Sequence, residues 1–249
     1  MAQRDIHFYA TLAIAKAAGY SDEDAKLLAW ANMETDYTLQ VKAWNCFWSN
    51  LGLYYHFLPS DPKDLICRPN SELSERIIKP LYLKPRYSSP VGLCSCGIAL
   101  HGLQDTYSHQ NWIGKFSRHN VLPAWSKERL TLNIIPPYGH SPMLKIPDVA
   151  NATWYDPRSG ETIVNLGRTY KAIEATAQVL GGCDFTRVWS IFQNEPDYDK
   201  RKKALRDLAG MSDLSFASIR AEMWKRHKVP FMQAAKAQAK IVKEYLDGD

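Results

Sequence analysis

The sequence lacks any apolar run of the roughly 20 residues that a membrane-spanning helix requires. It also lacks a secretory signal, because Asp5, His7 and Lys16 interrupt the apolar patch near the N-terminus. We therefore predict no transmembrane segment and a protein that is cytoplasmic as synthesised. Secretion by a signal-independent route, as for a toxin delivered into another cell, stays open.

The chain of 249 residues contains only five cysteines, which is an odd number. A chain of this length can bury a core without disulfides, so reduced thiols are expected. Cys94 and Cys96 form a C-x-C pair with no second pair after it, which disfavours a cysteine-based zinc site. The sequence also has no G-x-S-x-G elbow, Walker-type phosphate loop or dinucleotide fingerprint. These absences argue against elbow-type serine hydrolases, P-loop enzymes and dinucleotide-dependent enzymes.

The dominant pattern that is present is helical periodicity. The segments DIHFYATLAIAKAAG and SDEDAKLLAWANMETD carry apolar residues at helical spacing, and Ser21 before the second is typical of a helix N-cap. Residues 132–160 are instead dense in proline, glycine and asparagine, which predicts one long ordered loop. No internal repeat or Gly/Ser-rich linker divides the chain. We predict a single all-α domain over residues 1–249, with two C-terminal helices separated near Pro230.

The segment HGLQDTYSH places His101, Asp105 and His109 at successive intervals of four residues. Helical residues turn by about 100° each, so these three side chains would share one helix face. An imidazole and a carboxylate at i, i+4 can bind one metal ion together, and the next histidine can reach the same ion or a second one. The competing interpretation is a hydrogen-bonded helix face without an ion. The alignment of three such residues favours the metal site.

Further residues of ligand type are dispersed along the chain. Taken singly, each is also explained as a hydrogen-bonded polar residue, a helix cap or a turn former. Six of the seven histidines nevertheless fall before residue 141, and this uneven distribution favours one shared site built from residues 5–148. The additional candidates are His7, Asp36, His56, His119, His140 and Asp148.

Several segments resemble a family of uncharacterised bacterial proteins that is defined only as a domain of unknown function. The resemblance is carried by YYHFLP, RPNSEL, GIALHGLQDTYSHQNWIGKFSRHN and YGHSPMLKIPDVANATW, in this order, after the N-terminal segment that begins DIHFYAT. It covers roughly residues 5–170 and is less clear in the C-terminal third. It implies no activity.

The sequence is also similar, more distantly, to the helical zinc-dependent phospholipase C and single-strand nuclease superfamily, which holds a cluster of zinc ions. The likeness implies that Asp105 is a bridging carboxylate and that His140 completes the shell of a second metal ion. The chain departs from that pattern because it begins Met-Ala-Gln rather than with a processed Trp ligand, and because Leu144 stands where an acid is usual, so that Asp148 takes its place. One or two ions are therefore expected. The implied metal ligands are His7, Asp36, His56, His101, Asp105 and His109.

The sequence thus predicts a metal-dependent hydrolase that acts on phosphoester bonds through water activated by a divalent ion. Asp105, His140 and Asp148 are the predicted catalytic residues. Zinc is favoured by the mixed His and carboxylate ligands, although manganese, iron or nickel would also fit. The net charge of +5 is compatible with an anionic substrate, whether nucleic acid or phospholipid. The predicted substrate-binding residues are Lys115, Arg118 and His119.

Two other interpretations stay open. One is a metal-stabilised binding or scaffold protein without turnover, in which the ion only holds helices together. The other is a metal-free amidase or transferase that uses a cysteine or a histidine in the loop at residues 134–160. An open coordination position would argue against the first, and activity that survives chelation would support the second.

Overall fold

The computed structural model describes residues 4–39, 49–82, 89–123, 138–213 and 215–248. Most of them are helical, and two short strands form a hairpin. Within these residues, no helix is both long and apolar enough to cross a membrane. A π-helical turn, Asp5–Ala10, leads into α1, and a second one, Gly52–His56, precedes α3. The helices are α1 (Thr11–Ala17), α2 (Asp22–Thr38), α3 (Glu72–Tyr82), α4 (Pro90–Ser108), α5 (Asn165–Val179), α6 (Thr186–Asn194), α7 (Tyr198–Leu208) and α8 (Phe216–Asp247).

Helix α4 lies at the centre of the fold and packs against α2, α5 and α8. It begins at Pro90, after Ser89 accepts the backbone N–H of Gly92 as an N-cap. A methyl group on Gly97 would lie 2.5 Å from the carbonyl oxygen of Leu28. The missing side chain therefore lets α4 approach α2 closely, and this contact brings polar residues of the two helices together inside the core.

The loop predicted over residues 132–160 is only partly a loop, and the all-α prediction is wrong in this detail. Strand β1 (Thr153–Asp156) pairs antiparallel with β2 (Glu161–Val164). The β-branched and aromatic residues of these segments suit strands, and Gly160 provides the positive φ of +75° in the connecting turn. Residues 132–137 lie outside the described residues, and 138–152 are ordered by short 3₁₀ turns.

The predicted break between two C-terminal helices near Pro230 is also wrong, because α8 continues through this residue. A proline inside a helix removes one backbone hydrogen bond, which costs about 3 kcal/mol. Packing on both sides offsets this cost, since Met223 and Phe231 are both buried in the main core. Tertiary burial thus decides the course of the helix against the local preference of proline.

A buried ion pair joins the N-terminal turn to α7. Arg201 donates from Nε and Nη2 to Asp5 Oδ2 at 2.8 and 2.7 Å, and both residues are buried. Its Nη1 donates to the carbonyl oxygens of Glu195 and Pro196. Burial raises the pKa of Asp5 even though Arg201 opposes the rise. The pair holds in place the turn that carries His7.

Replacing this arginine is expected to destabilise the protein strongly. Arg201→Met should lower the free energy of unfolding by about 3–5 kcal/mol, because it leaves Asp5 buried without its counter-charge. Urea unfolding followed by circular dichroism measures the change. The double variant Asp5→Asn/Arg201→Met, which has no buried charge at this position, should be more stable than Arg201→Met alone, and equal stability would contradict the explanation.

Candidate metal centre

Helix α4 carries the first two donors of the site. His101 and Asp105 lie on successive turns, and His101 Nε2 is 3.2 Å from Asp105 Oδ2. Both side chains are fully buried, with exposed fractions of 0% and 1%. The helical spacing of four residues therefore brings an imidazole and a carboxylate together away from solvent. A carboxylate in such a position requires a compensating positive charge or hydrogen-bond donors.

Two further donors reach the same point from other elements. Asp36 comes from the last turn of α2, and His56 ends the second π-helical turn. Together with His101 and Asp105 they form what we call the four-donor set. Five separations between its donor atoms, which are Asp36 Oδ1, His56 Nδ1, His101 Nε2 and Asp105 Oδ2, run from 3.0 to 3.7 Å.

These separations match the requirements of a transition-metal site. Ligand atoms about 2.0–2.1 Å from a tetrahedral ion lie about 3.3 Å from one another. The other atoms of two donors, Asp36 Oδ2 and His56 Nε2, are buried and make no hydrogen bond with any described residue. Neither side chain is thus held by bonds to its second polar atom, which fits donors whose main partner is an ion between them.

The second oxygen of Asp105 faces a different histidine. His7 Nε2 lies 3.2 Å from Asp105 Oδ1, and the His7 ring stacks on that of His101 with centroids 4.3 Å apart. His7, His101 and Asp105 therefore form a second possible ion-binding group that shares two residues with the four-donor set. Asp105 thus offers Oδ1 to one group and Oδ2 to the other.

A separate group, the three-donor set, consists of His109, His140 and Asp148. Asp148 Oδ1 lies 2.9 Å from His109 Nε2 and 3.3 Å from His140 Nε2. Helix α4 ends at Ser108, so His109 is its C-cap. His109 still follows Asp105 on the predicted face, because its backbone N–H donates to the Asp105 carbonyl oxygen at 2.8 Å, but it stands at the end of the helix. The backbone turn directs its Nε2 to Asp148, although Nδ1 stays 3.6 Å from Asp105.

Backbone carbonyls decide which nitrogen carries the proton in the three-donor set. His109 Nδ1 lies 2.7 Å from the carbonyl oxygen of His56, and His140 Nδ1 lies 2.7 Å from that of Leu144. A carbonyl oxygen can only accept, so each Nδ1 bears a hydrogen. If the rings carry no second proton, their Nε2 lone pairs point at the Asp148 carboxylate. Such an arrangement is repulsive unless protons or a cation lie between them.

A network of amides and hydroxyls determines which ring nitrogen of His7 and of His101 carries the proton. Thr11 donates its hydroxyl to the Ile6 carbonyl and Thr176 donates to that of Ala172. Both hydroxyls must then accept from the amide groups that contact them. The amide nitrogens are therefore the donors to these hydroxyls. Asn32 Nδ2 donates to Thr11, and Gln104 Nε2 donates to Thr11 and Thr176.

The amide oxygens are thereby left to accept from the imidazoles. Asn32 Oδ1 lies 3.1 Å from His7 Nδ1 and 3.2 Å from His101 Nδ1, and Gln104 Oε1 lies 2.8 Å from His7 Nδ1. Each histidine thus donates from Nδ1 and directs Nε2 at Asp105. Metal-binding histidines are oriented in this way by hydrogen bonds on the opposite nitrogen.

Sequence reasoning did not identify these supporting residues. Asn32 precedes Asp36 by four residues on α2, and Gln104 follows His101 by three on α4. Helical spacing to a candidate ligand was therefore the available signal. Thr176 comes from α5, so part of the C-terminal half supports a site whose donors all lie within residues 5–148.

The charges of the site show what the carboxylates require. Burial lowers the pKa of His7, but Asp105 outweighs this and raises it to about 9. His109 is raised to about 9 in the same way, by Asp105 and Asp148. Burial and the charge of His7 lower the pKa of His101. The imidazoles hold the pKa values of Asp105 and Asp148 well below their usual range despite burial. The site thus demands positive charge, from protons or from a metal ion.

The described residues therefore contain three groups that could hold a metal ion. They contain every residue that was predicted as a metal ligand, and also His140 and Asp148, which were predicted as catalytic residues. The donors are imidazole nitrogens and carboxylate oxygens, a mixture that binds divalent transition metals. The members of the groups are His7, Asp36, His56, His101, Asp105, His109, His140 and Asp148.

The predicted substrate-binding residues follow His109 on the loop after α4. Lys115 is half-buried, and Arg118 is exposed in a 3₁₀ turn, Arg118–Asn120. His119 is exposed, and its Nε2 donates to the carbonyl oxygen of Asn111 at 3.0 Å. The ring of His119 therefore already has a partner in the loop.

The thiols of the described cysteines are poor nucleophiles. Burial raises the pKa of Cys94 and of Cys96 to about 12. It also raises the pKa values of Cys67 and Cys183. The thiolate is the reactive form, so a raised pKa makes these thiols less reactive at neutral pH. Cys46 lies outside the described residues.

Removing one orienting amide is expected to weaken metal binding without removing a ligand. Gln104→Leu should reduce affinity for zinc by about 10- to 100-fold, the usual effect of losing a hydrogen bond to a metal-bound histidine. Competition with a chromophoric chelator measures the affinity. Gln238→Leu is the matched control, because Gln238 is a buried glutamine that bonds the Tyr54 carbonyl instead. Equal affinities in the two variants would contradict the orienting role.

Comparisons with known proteins give a family and no activity. A profile described as a family of unknown function (DUF6765) matches residues 48–247. The match includes the C-terminal third, where the resemblance seen in the sequence was less clear, and it leaves out His7 and Asp36. No curated protein and no solved structure matches significantly. The likeness to the zinc-dependent phospholipase C and nuclease superfamily thus depends on the residue pattern alone.

Proposed function

Because the chain belongs to that family of unknown function, its own site has to indicate the activity, and we propose that the protein is a metal-dependent hydrolase of phosphoester bonds. The proposal has two parts. The first is that the His and Asp groups bind one or two divalent ions. The second is that the bound ions activate water against a phosphate-containing substrate.

The direction of the imidazole protons is the observation that carries the first part. His7, His101, His109 and His140 each donate from Nδ1 to an oxygen outside the site, and each directs Nε2 at a carboxylate. The carboxylates therefore need either protons on these Nε2 atoms or a cation at the same place. The shared orientation of four histidines supports a cation between the rings and the carboxylates.

The second part depends on the difference between the two donor sets. A divalent ion, when bound, lowers the pKa of a water molecule and polarises a phosphoryl oxygen. Catalytic sites usually offer three protein ligands and structural sites four. The three-donor set has three, and its His140 is only partly buried. We therefore assign substrate binding to the three-donor set, where Asp148, His140 and His109 would hold the ion together.

The proposal assigns a role to each of the candidate site residues. Asp105 would hold the ions, with Oδ1 beside His7 and Oδ2 beside His56 and His101. Asp36 and His56 complete the four-donor set. Lys115 and Arg118 supply the positive charge that we assign to the substrate phosphate, and His119 supports their loop through its bond to Asn111. Zinc is the favoured ion because of the mixed nitrogen and oxygen donors, with manganese, iron and nickel as alternatives.

The four-donor set also favours a second candidate function. A closed shell of four protein ligands is typical of a structural ion, which would make the protein a metal-stabilised binding or scaffold protein. The metal-free amidase or transferase has less support, because the described cysteines have raised pKa values.

An activity test separates these functions. Protein purified without chelators and reconstituted with zinc is assayed on bis(p-nitrophenyl) phosphate, single-stranded DNA and phosphatidylcholine vesicles. We expect hydrolysis in at least one assay, and its loss after chelation. A metal-loaded protein that hydrolyses none of the three would contradict the hydrolase and favour the scaffold, while activity that survives full metal removal would favour the metal-free enzyme.

A further inference from the structure

A cavity of about 460 Å³ lies between the N-terminal turn, the end of α2 and the beginning of α8. Its volume is in the range of small-molecule sites, about 300–1,000 Å³. None of its lining residues belongs to the donor sets. Two arginines and three aromatic side chains dominate the lining: Arg4, Arg220, Tyr37, Phe216 and Trp224.

One of the two arginines is neutralised by a buried acid. Arg220 donates from Nε to Glu34 Oε2 at 2.7 Å and from Nη2 to Glu34 Oε1 at 2.8 Å. Glu34 is fully buried, with an exposed fraction of 0%. This bidentate pair carries no net charge. Arg220 therefore shapes the cavity without attracting an anion by itself.

The other arginine keeps its charge. Arg4 donates from Nε to the hydroxyl oxygen of Tyr37 at 3.1 Å, and no carboxylate among the described residues pairs with it. Its guanidinium carbon lies 5.2 Å from the centre of the Phe216 ring. No acidic residue lies in the first turn of α8, whose positive dipole end adds to the potential. The cavity thus has a net positive charge.

The aromatic side chains give the cavity a flat apolar wall. The rings of Tyr37 and Phe216 stack with centroids 5.7 Å apart and an interplanar angle of 24°. The Arg220 guanidinium covers the Tyr37 ring at 4.3 Å, and Trp224 is half-buried beside it. Phe216 and Arg220 already cover the Tyr37 ring, so a planar group can pack beside Trp224 at the end of this wall, while an anionic group can reach Arg4.

We propose that this cavity is a binding site for a small organic anion that carries a planar ring, with the anionic group on Arg4 and the ring against the aromatic wall. The site is separate from the metal centre and does not depend on the hydrolase proposal. Arg4 provides the charge-assisted hydrogen bonds, and the pair of Arg220 and Glu34 keeps the wall rigid.

Benzenesulfonate is a suitable probe, because it combines a ring with an anion that coordinates metals poorly. Isothermal titration of the full chain should show binding at one site. Methyl phenyl sulfone, which has a similar shape and no charge, should bind at least about tenfold more weakly, as expected for loss of a charge-assisted bond. Equal binding of the two probes, or no binding of benzenesulfonate, would overturn the proposal.

Variants locate the binding. Arg4→Met should weaken benzenesulfonate binding by about tenfold or more, whereas Arg187→Met, which removes an exposed arginine from a different cavity, should leave it unchanged. Asp105→Asn should also leave it unchanged, because the metal centre is not involved. Loss of binding in Asp105→Asn with retention in Arg4→Met would move the anion to the metal centre and overturn the proposal without affecting the hydrolase.

Discussion

Asp105→Asn is expected to abolish both metal binding and phosphoester hydrolysis. Asp105 is the only described donor that contacts His7, His56 and His101 at once, through 3.2 Å separations. An amide is a weaker, neutral ligand and would leave those imidazoles without a charge partner. Elemental analysis should show loss of most bound metal. Activity should fall by at least about 10³-fold, since an ion contributes several kcal/mol of transition-state stabilisation.

Asp156→Asn is the matched control for this variant. Asp156 is also a buried aspartate, but its partner is Arg158 at 2.7 Å, and it belongs to none of the candidate metal groups. The control should keep the metal content of the unchanged protein. An Asp105→Asn protein that is folded by circular dichroism and keeps both metal and activity would remove the basis of the site.

Removal of the metal is expected to lower thermal stability markedly. An ion that binds only the folded state stabilises it by about 4 kcal/mol when its free concentration is about 1,000 times the dissociation constant. For a chain of this size that corresponds to about 8–16 °C in the melting temperature. The shift should be large here because the donors come from several separate elements, which include α2, α4 and the loop before β1. Differential scanning calorimetry before and after chelation measures it.

Two comparisons make this second test specific. Addition of zinc to the chelated protein should restore the original melting temperature. Asp105→Asn, which is expected to lack the ion, should melt at the same temperature with and without chelator. A chelator effect of equal size in Asp105→Asn would mean that the stabilising ion binds elsewhere.

The sequence pattern predicted those parts of the fold that depend on interactions between residues close together in the chain. Ser21 caps α2 as expected, because a hydroxyl before an acidic first turn satisfies backbone N–H groups there. His101 and Asp105 meet because four residues make about one helical turn. The course of α8 through Pro230 and the hairpin after residue 152 depend instead on packing and strand pairing, which are non-local.

The site shows the same division between local and tertiary information. Residue type and spacing indicated the candidate ligands, but their division into two donor sets follows from the end of α4 at Ser108. That end turns His109 toward Asp148. The orienting role of Asn32 and Gln104 depends on their bonds to His7 and on the hydroxyl groups of α1 and α5 that fix their amide nitrogens as donors. Their role depends on contacts between residues far apart in sequence.

Anomalous X-ray diffraction from crystals of untagged protein, purified without chelators and loaded with zinc, tests the central claim most directly. Data collected on both sides of the zinc absorption edge locate the ion independently of any assay. We expect an anomalous peak among Asp36, His56, His101 and Asp105, the donors of the four-donor set. Zinc-loaded crystals with no peak at any of the candidate groups would contradict the account, and the polar residues of α4 would then form a hydrogen-bonded core.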